Sequence, residues 1–561
     1  NGFYLKFADN SSTAALGTDS SGNGNTWTTN NFSVTAGVDN DSLVDSPTNY
    51  GSDSGAGGTL RGNYATLNPL AFRYAANAPT FSDGNLQITS NSGAASQYAF
   101  SSIGFPNSGK FYYEVTISLI GTSTSVVGAA DIQLLQNSNF SNAIGYLNNG
   151  QKSVNGTETS YGATWTTGDI IGIAVNIDSQ TITFYKNNTS QGSLSFNCAG
   201  LFPDSQLGIS SASHIYNFGQ RPFAYTAPTG FKALCTTNLT TPTIKKPSSY
   251  MDVVTYTGDG TSSRAITSLN FQPELIWIKN RTNAYNNTVV DSVRGGSLYL
   301  ETNNTNADQS ATVVSSFNSN GFQIGTSSIQ VNGASNTYVA WAWDEAPIAG
   351  LDIVSYTGTG SARTVSHNLG VAPKMMIVKS RSRSGDNWDV YHTVLGATKR
   401  VYLDLTNAAD TTAAPWNNTE PTSSVFTVGT AGDTNATGVT YIAYLFAEVE
   451  GFSKFGSYTG NGSADGPFVF CGFRPRWVMV KSSSSAQGWQ IIDSSRSQSN
   501  VATQVLQANS ANAENTVTSI DIISNGFKIR TDGASLGINT SSATYIFAAF
   551  AESPFKYARA R

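Results

Sequence analysis

Apolar residues along this chain come in runs of five to eight, rich in Tyr, Trp, Val and Ile and bounded by Gly, Pro, Asn and Ser. Runs of that length and composition predict β-strands and are too short for ordinary helices. One of them, YVAWAWDE (Tyr338 to Glu345), ends on two acidic residues and has two echoes, YIAYLFAE (Tyr441 to Glu448) and YIFAAFAE (Tyr545 to Glu552). A catalytic centre normally occurs once, whereas a structural strand can recur. The terminal glutamates therefore read as solvated strand ends rather than catalytic acids.

Two further landmarks repeat in the same order. A Tyr-Thr-Gly turn opens each unit, in DVVTYTGDG from Asp252, DIVSYTGTG from Asp352 and FGSYTGNG from Phe455. A proline then leads an apolar run that closes on lysine: PELIWIKN from Pro273, PKMMIVKS from Pro373 and PRWVMVKS from Pro475. The shared lysines Lys279, Lys379 and Lys481 fix the register, which makes Trp277, Ile377 and Met479 equivalent inward positions. A Ser-Asn-Gly-Phe turn leads into another strand at Ser319 to Ile324 and at Ser524 to Ile529, replaced in the second repeat by SSVFTVG. Ordered landmarks at a period of roughly 100 residues are the signature of a tandem array. An antiparallel sheet must bury one face against a second layer, so each repeat is predicted to be a small β-sandwich or closed barrel.

The first half does not repeat. GKFYYEVTI (Gly109 to Ile117) alternates as a strand, and Gly168 to Asn188 predicts a hairpin with Ile171, Ile173, Val175 and Ile177 on one face and Ile182 and Phe184 continuing it after the turn. LFPDSQLG and HIYNFGQRPFAY follow. Thr236 to Ser249, TTNLTTPTIKKPSS, has the prolines, lysines and missing apolar run of an exposed linker. The expected fold class is all-β: tandem β-sandwich domains in an elongated, multidomain, fibre-like chain. Its divisions are 1–60, an N-terminal strand and Asn/Gly-rich leader that can complete the next sandwich; 61–235, a β-sandwich; 236–249, the linker; and repeats at 250–349, 350–451 and 452–561.

Charged residues make up 12% of the 561, about half the usual share, so solubility rests on Asn, Ser, Thr and Gly. A net charge of −5, with Lys379, Arg381 and Arg383 as the densest basic patch, argues against nucleic acid, which needs a basic stripe to neutralise phosphates. No run approaches the length of a membrane-spanning helix, so membrane insertion is not expected. Cys198, Cys235 and Cys471 cannot all pair with one another and make no disulfide framework. The chain starts at Asn1 with neither a basic n-region nor an apolar h-region, which reads as a processed or incompletely covered N-terminus.

Candidate chemistry is sparse. His214, His367 and His392 are the only histidines, none in HExxH or at metal-ligand spacing with cysteine, and there is no GxSxG or GxxxxGK. No catalytic residue is assigned and no enzyme is expected. Asp169, Asp178 and Asp204 could serve as the acid and base of a polysaccharide-cleaving spike, but each is read as a turn residue accepting backbone N–H groups. Two acidic loops offer oxygen ligands of the kind Ca²⁺ takes: Asp39, Asp41 and Asp45 in DNDSLVD, and Asp19, Asn23 and Asn25 in DSSGNGN. Neither has the acidic twelfth position of an EF-hand, Asn30 standing where a loop from Asp19 would want Glu, and the competing reading is a turn held by side-chain hydrogen bonds. No cofactor is required.

Recognition is expected on loops carried by a rigid scaffold. The candidate loops are Leu134 to Asn142 and Asn148 to Tyr161 in the first half. In the repeats, RSRSGDNW gathers Arg381, Arg383, Asp386 and Trp388 as the best site for a polar ligand, with the alternative that Trp388 begins the strand WDVY.

The order YYEV, IGIAVNIDSQTITFYKN, LFP and NFGQRPF resembles the SPRY domain, a two-sheet sandwich, over about Gly62 to Phe223. Phe3 to Trp27 resembles the opening of laminin-G or concanavalin-like sandwiches. SLVDSPTNYG, followed by NYATLNPL, resembles the leader of this domain in structural proteins of marine tailed bacteriophages, and the repeats resemble modules appended there. That resemblance implies a virion fibre or spike on the exterior of the particle, made in the host cytoplasm and attaching to a host surface glycan or protein. It also implies other virion proteins as partners and a homotrimer, although no heptad or collagen repeat in the sequence enforces three chains. A purely structural fibre, appendage or capsid decoration protein and a polysaccharide-degrading spike stay open. The resemblance assigns no binding residue.

Overall fold

The computed structural model describes all residues except 1, 8, 10, 35–61, 74–77, 92–96, 136–141, 209–210 and 558–561. Strands dominate it, as the alternation predicts, and the chain is all-β, built of tandem sandwiches. It divides into two units, Asn1–Thr240 and Thr241–Arg561.

In the first unit the predicted hairpin forms between Ile170–Asn176 and Thr181–Lys186, with Ile173 opposite Phe184 and Val175 opposite Ile182. Ile171, Ile173, Val175, Ile182 and Phe184 are all fully buried, so the alternating face is the face that meets the second layer. This hairpin joins Lys110–Leu119 and Ser213–Asn217 in one sheet. The opposing sheet has seven strands, with Phe202–Leu207 between Gln97–Ser101 and Val126–Ala130, and continues outward through Ala143–Leu147, Gln151–Val154 and Thr157–Ser160. Asn148 to Tyr161, expected as a loop, is thus mostly a hairpin at the sheet edge. Gln151 pairs with Ser160 and Ser153 with Glu158 as an ordinary ladder, and its polar composition reflects an exposed edge rather than irregular backbone.

In the second unit each repeat pairs its opening strand with its closing strand along its full length, placing Tyr256 opposite Tyr338, Tyr356 opposite Tyr441 and Tyr458 opposite Tyr545. The ring pairs stack at 5.1, 5.1 and 4.9 Å. The glycine of each Tyr-Thr-Gly lies against a carbonyl: a Cβ on Gly258, Gly358 or Gly460 would stand 2.2, 2.2 or 2.4 Å from the oxygen of Gly333, Ala436 or Thr540. The strands after Ser-Asn-Gly-Phe form at Gly321–Ile324 and Gly526–Ile529, and SSVFTVG supplies Val425–Val428.

The main sheet of every repeat is buried on both faces, which explains why its strands read as near-continuous apolar runs. In YVAWAWDE, Tyr338, Ala340 and Ala342 face the core of their own lobe, while Val339, Trp341 and Trp343 enter a core shared by all three repeats. Trp277, Ile377 and Met479 lie in that shared core, in the equivalence the lysine register predicts. Trp343, Phe446 and Phe550, one from each repeat, meet one another with ring centroids 6.4, 5.8 and 5.9 Å apart. They mark the axis of an internal pseudo-threefold arrangement.

Polar contacts close the ring. The amide of Asp308 donates to the carbonyl of Arg381 at 2.7 Å, Ala409 to Ser483 at 2.9 Å and Glu514 to Arg281 at 2.9 Å, so each repeat bonds the next and the third bonds the first. The landmark lysines run the opposite way: Lys379 Nζ donates to the Thr305 carbonyl at 3.3 Å, Lys481 to Thr406 at 2.9 Å and Lys279 to Ala511 at 2.8 Å. Desolvation pushes all three ammonium groups down to about 8. The glutamates after the closing strands are anchors rather than solvated ends: Glu345 accepts the Ile353 amide at 2.9 Å and Glu448 the Phe455 amide at 3.2 Å, each fixing the start of the following repeat.

Candidate functional site

The outer face of the seven-stranded sheet in the first unit carries a cleft made by what the sequence leaves out. Cross-strand pairing puts Asp204, Gly128, Gly145, Ser153 and Glu158 in one row over five strands. Two adjacent glycines remove the side chains from the middle of that row. Neither tolerates a Cβ, which on Gly128 would lie 2.0 Å from the Ile144 oxygen and on Gly145 would lie 2.3 Å from Val126 Cγ1. The result is a cavity of about 260 Å³, with Asp204, Gln206 and Tyr98 on one side, Ser153 and Glu158 on the other, and Val126 and Leu134 as apolar wall. Leu134, in the short 3-10 turn Ile132–Leu135, lines the cleft, while residues 136–141 of the loop Leu134 to Asn142 lie outside the described residues.

The backbone beneath the cleft is held from the facing sheet. Tyr216 donates its hydroxyl to the Asp204 carbonyl at 2.9 Å, and Tyr113 donates to the Gly128 carbonyl at 2.6 Å. Ser205, the next residue, points inward to His214 Nδ1 at 3.0 Å, which leaves the Asp204 side chain facing outward. Its strand lies between two others, so the expectation that Asp204 sits beside a turn is corrected: Asp204 is in the middle of Phe202–Leu207. Asp169 and Asp178 do act as turn acceptors, taking the amides of Thr166 and Gly109 at 2.8 Å each. Burial pushes Asp204 up to about 8.

The remaining candidates are engaged within the fold. Trp388 is 1% exposed and donates its indole N–H to the Glu301 and Asn304 carbonyls at 3.1 and 3.2 Å, across the junction with the first repeat. It therefore belongs to the shared core, beginning the strand WDVY, and is removed from any ligand surface. Arg381 pairs with Asp308 at 3.0 Å, and Arg383 pairs with Asp386 at 2.6 Å. These four residues do not converge on a common cavity. Asp39, Asp41 and Asp45 lie outside the described residues. Asp19 accepts the amides of Tyr4, Ser21 and Asn25 at 2.9, 2.8 and 2.9 Å, which holds its carboxyl well below the usual range and makes DSSGNGN a hydrogen-bonded turn. Among the described residues no cluster of three or more His, Cys, Asp or Glu side chains is placed to hold a metal ion.

Comparison with known proteins separates the two units. Residues 110–221 match the SPRY domain, and residues 246–554, more than half of the chain, match the family described as "Domain of unknown function (DUF7483)". The chain belongs to the DUF7483 family. The DUF7483 match contains all three repeats and the closed ring they make, whereas the cleft lies in the SPRY unit. Similar solved structures are the SPRY domain of human HERC1 (19% identity, 27% of this chain and 96% of that one, TM-score 0.24), stonustoxin (19%, 28% and 27%, 0.23) and the TRIM65 PSpry domain (14%, 28% and 92%, 0.22). SPRY domains are protein-interaction modules, and this DUF7483 protein carries one.

Proposed function

We propose that the chain is a non-enzymatic interaction protein of a virion exterior, made in the host cytoplasm, which attaches to a host surface protein or glycan through the cleft of its SPRY unit. The three repeats act as a rigid carrier. One observation carries the reading: Asp204 is buried at the floor of the only cavity bordered by both a mid-sheet carboxylate and an exposed edge hairpin among the cavities described. An acid held there has a cost that folding alone does not recover, and sites that retain such costs are often functional. The virion setting rests on the resemblance of the leader, the sandwich and the repeats to marine tailed-phage structural proteins. Homotrimeric assembly and contact with other virion proteins extend from the same resemblance, and light scattering on the purified chain tests the trimer. Ca²⁺ at Asp39, Asp41 and Asp45 is an addition that calorimetry tests, not a requirement.

The test of the cleft is Ser153→Trp. Ser153 is half-buried on the edge hairpin, so an indole there fills the cleft without entering the sandwich interior. Binding of the full chain to host cells should fall about tenfold or more, as for loss of a central contact, with thermal stability unchanged. Undiminished binding would place recognition elsewhere.

A further inference from the structure

The cleft floor is chemically one-sided. Asp204 is 8% exposed, and among the described residues no side chain forms a hydrogen bond or ion pair with its carboxylate. The other charged group on the lining is Glu158, also acidic, and among the described residues no lysine or arginine lines the cavity. A buried acid is normally satisfied by a cation or by several donors. Asp291 and Asp493, which are fully buried in the repeats, have such partners in Arg294 and Arg496, each at 2.6 Å. Asp204 has the geometry of half an ion pair whose other half comes from outside.

The walls narrow the class of that partner. Val126 and Leu134 supply apolar surface to the lining, while Gln206 and Tyr98 flank the acid on the next row. A long side chain with an aliphatic stem and a cationic head fits such a lining, because the stem covers apolar surface while the head takes the carboxylate. A small hydrated inorganic cation would leave the wall unused, and a neutral sugar would use the carboxyl only as a hydrogen-bonding group, whereas a cationic head displaces its proton and pairs with the carboxylate. Resting on the reading of the cleft as the recognition surface, we infer that it takes a basic side chain, arginine or lysine, projecting from a partner polypeptide, with Asp204 as the buried counter-ion.

The experiment uses the full chain and three probes in saturation-transfer NMR: the Nα-acetyl methylamides of arginine, lysine and citrulline. At least one basic probe should bind saturably at millimolar concentration while citrulline, which matches arginine in shape and lacks its charge, binds about tenfold more weakly or not at all. Asp204→Asn should abolish the difference. The same variant should keep or raise the melting temperature, because it removes an unpaired buried acid. Equal binding of citrulline, undiminished binding to Asp204→Asn, or no binding of either basic probe would overturn the assignment. If no basic probe binds while Ser153→Trp still abolishes host-cell binding, the cation assignment falls and the cleft reading stands. If the basic probes bind and Ser153→Trp leaves host-cell binding intact, the assignment of the carboxylate stands and the cleft reading falls.

Discussion

Trp341 donates its indole N–H to the Asp493 carboxylate at 2.9 Å, joining the closing strand of the first repeat to the third. Asp493 also takes Arg496 at 2.6 Å with both side chains fully buried. The same device recurs one step round, where Tyr444 donates to Asp291 at 2.7 Å. At the remaining junction the acid is replaced by His392, whose Nε2 lies 3.2 Å from the Phe547 carbonyl; burial pushes this histidine down to about 4, so it is neutral. Asp493→Ala takes from the buried Arg496 one of its two carboxylates, leaving Glu514 at 2.9 Å, and should cost about 3 kcal/mol. Trp341→Phe keeps the ion pair and removes one donor, costing about 1–2 kcal/mol. Urea unfolding of the two variants checks the order, and a Trp341→Phe loss equal to the Asp493→Ala loss would show the ion pair to be inert.

Trp388→Ala should destabilise the repeats by about 3–5 kcal/mol, the usual cost of deleting a large buried aromatic. Host-cell binding of the remaining folded protein should not change. The opposite pattern, stable protein with weakened binding, would return Trp388 to a ligand surface.

Thermal stability of the repeat unit should pass through a minimum between about pH 7 and 8. Burial pushes Glu274 and Glu345 up to about 7 and Asp389 up to about 7. A carboxyl that binds its proton more tightly when folded loses stability as pH rises from its unfolded value near 4 toward 7. Lys279, Lys379 and Lys481 are pushed down to about 8. Between that value and the unfolded one near 10.4 the unfolded chain holds more protons, so stability rises with pH. Calorimetry across this range in wild type and Lys379→Met reads both limbs. The variant should lose part of the alkaline rise, and a stability maximum near pH 7.5 would contradict the assignment.

Gly358→Ala should cost about 1–3 kcal/mol through overpacking, because its Cβ would stand 2.2 Å from the Ala436 carbonyl. Equilibrium unfolding measures it, and a neutral result would mean that the Tyr-Thr-Gly turn is conformationally loose.

The repeats were legible in the sequence because Tyr-Thr-Gly, Pro-to-Lys and the closing aromatic strand each do local work that recurs: a stacked tyrosine pair, a close backbone approach and a two-sided strand. The equivalence of Trp277, Ile377 and Met479 followed from register alone. What the pattern could not reveal is that the second face of each strand meets the other repeats, since burial against a partner lobe and burial against one's own layer leave the same apolar run. Trp388 looked like a ligand contact for the related reason that Arg381, Arg383 and Asp386 surround it in sequence but not in space. The cleft was hidden more deeply. In sequence Asp204 reads as a turn residue, and the two glycines that open the cavity, Gly128 and Gly145, stand seventeen positions apart and become adjacent only through strand pairing. The usable signal was the alternation of LFPDSQLG itself, which sets Asp204 and Gln206 on the face opposite Ser205.

Site-specific photo-cross-linking tests most directly whether recognition resides in the first unit with the repeats as carrier. A photoreactive phenylalanine analogue is placed at Ser153, on the cleft, or at Ser384, in the exposed loop of the second repeat, and the full chain is irradiated on host cells. Adducts to a single host component are expected from position 153 and not from position 384; adducts from position 384 alone would contradict the placement of the binding site.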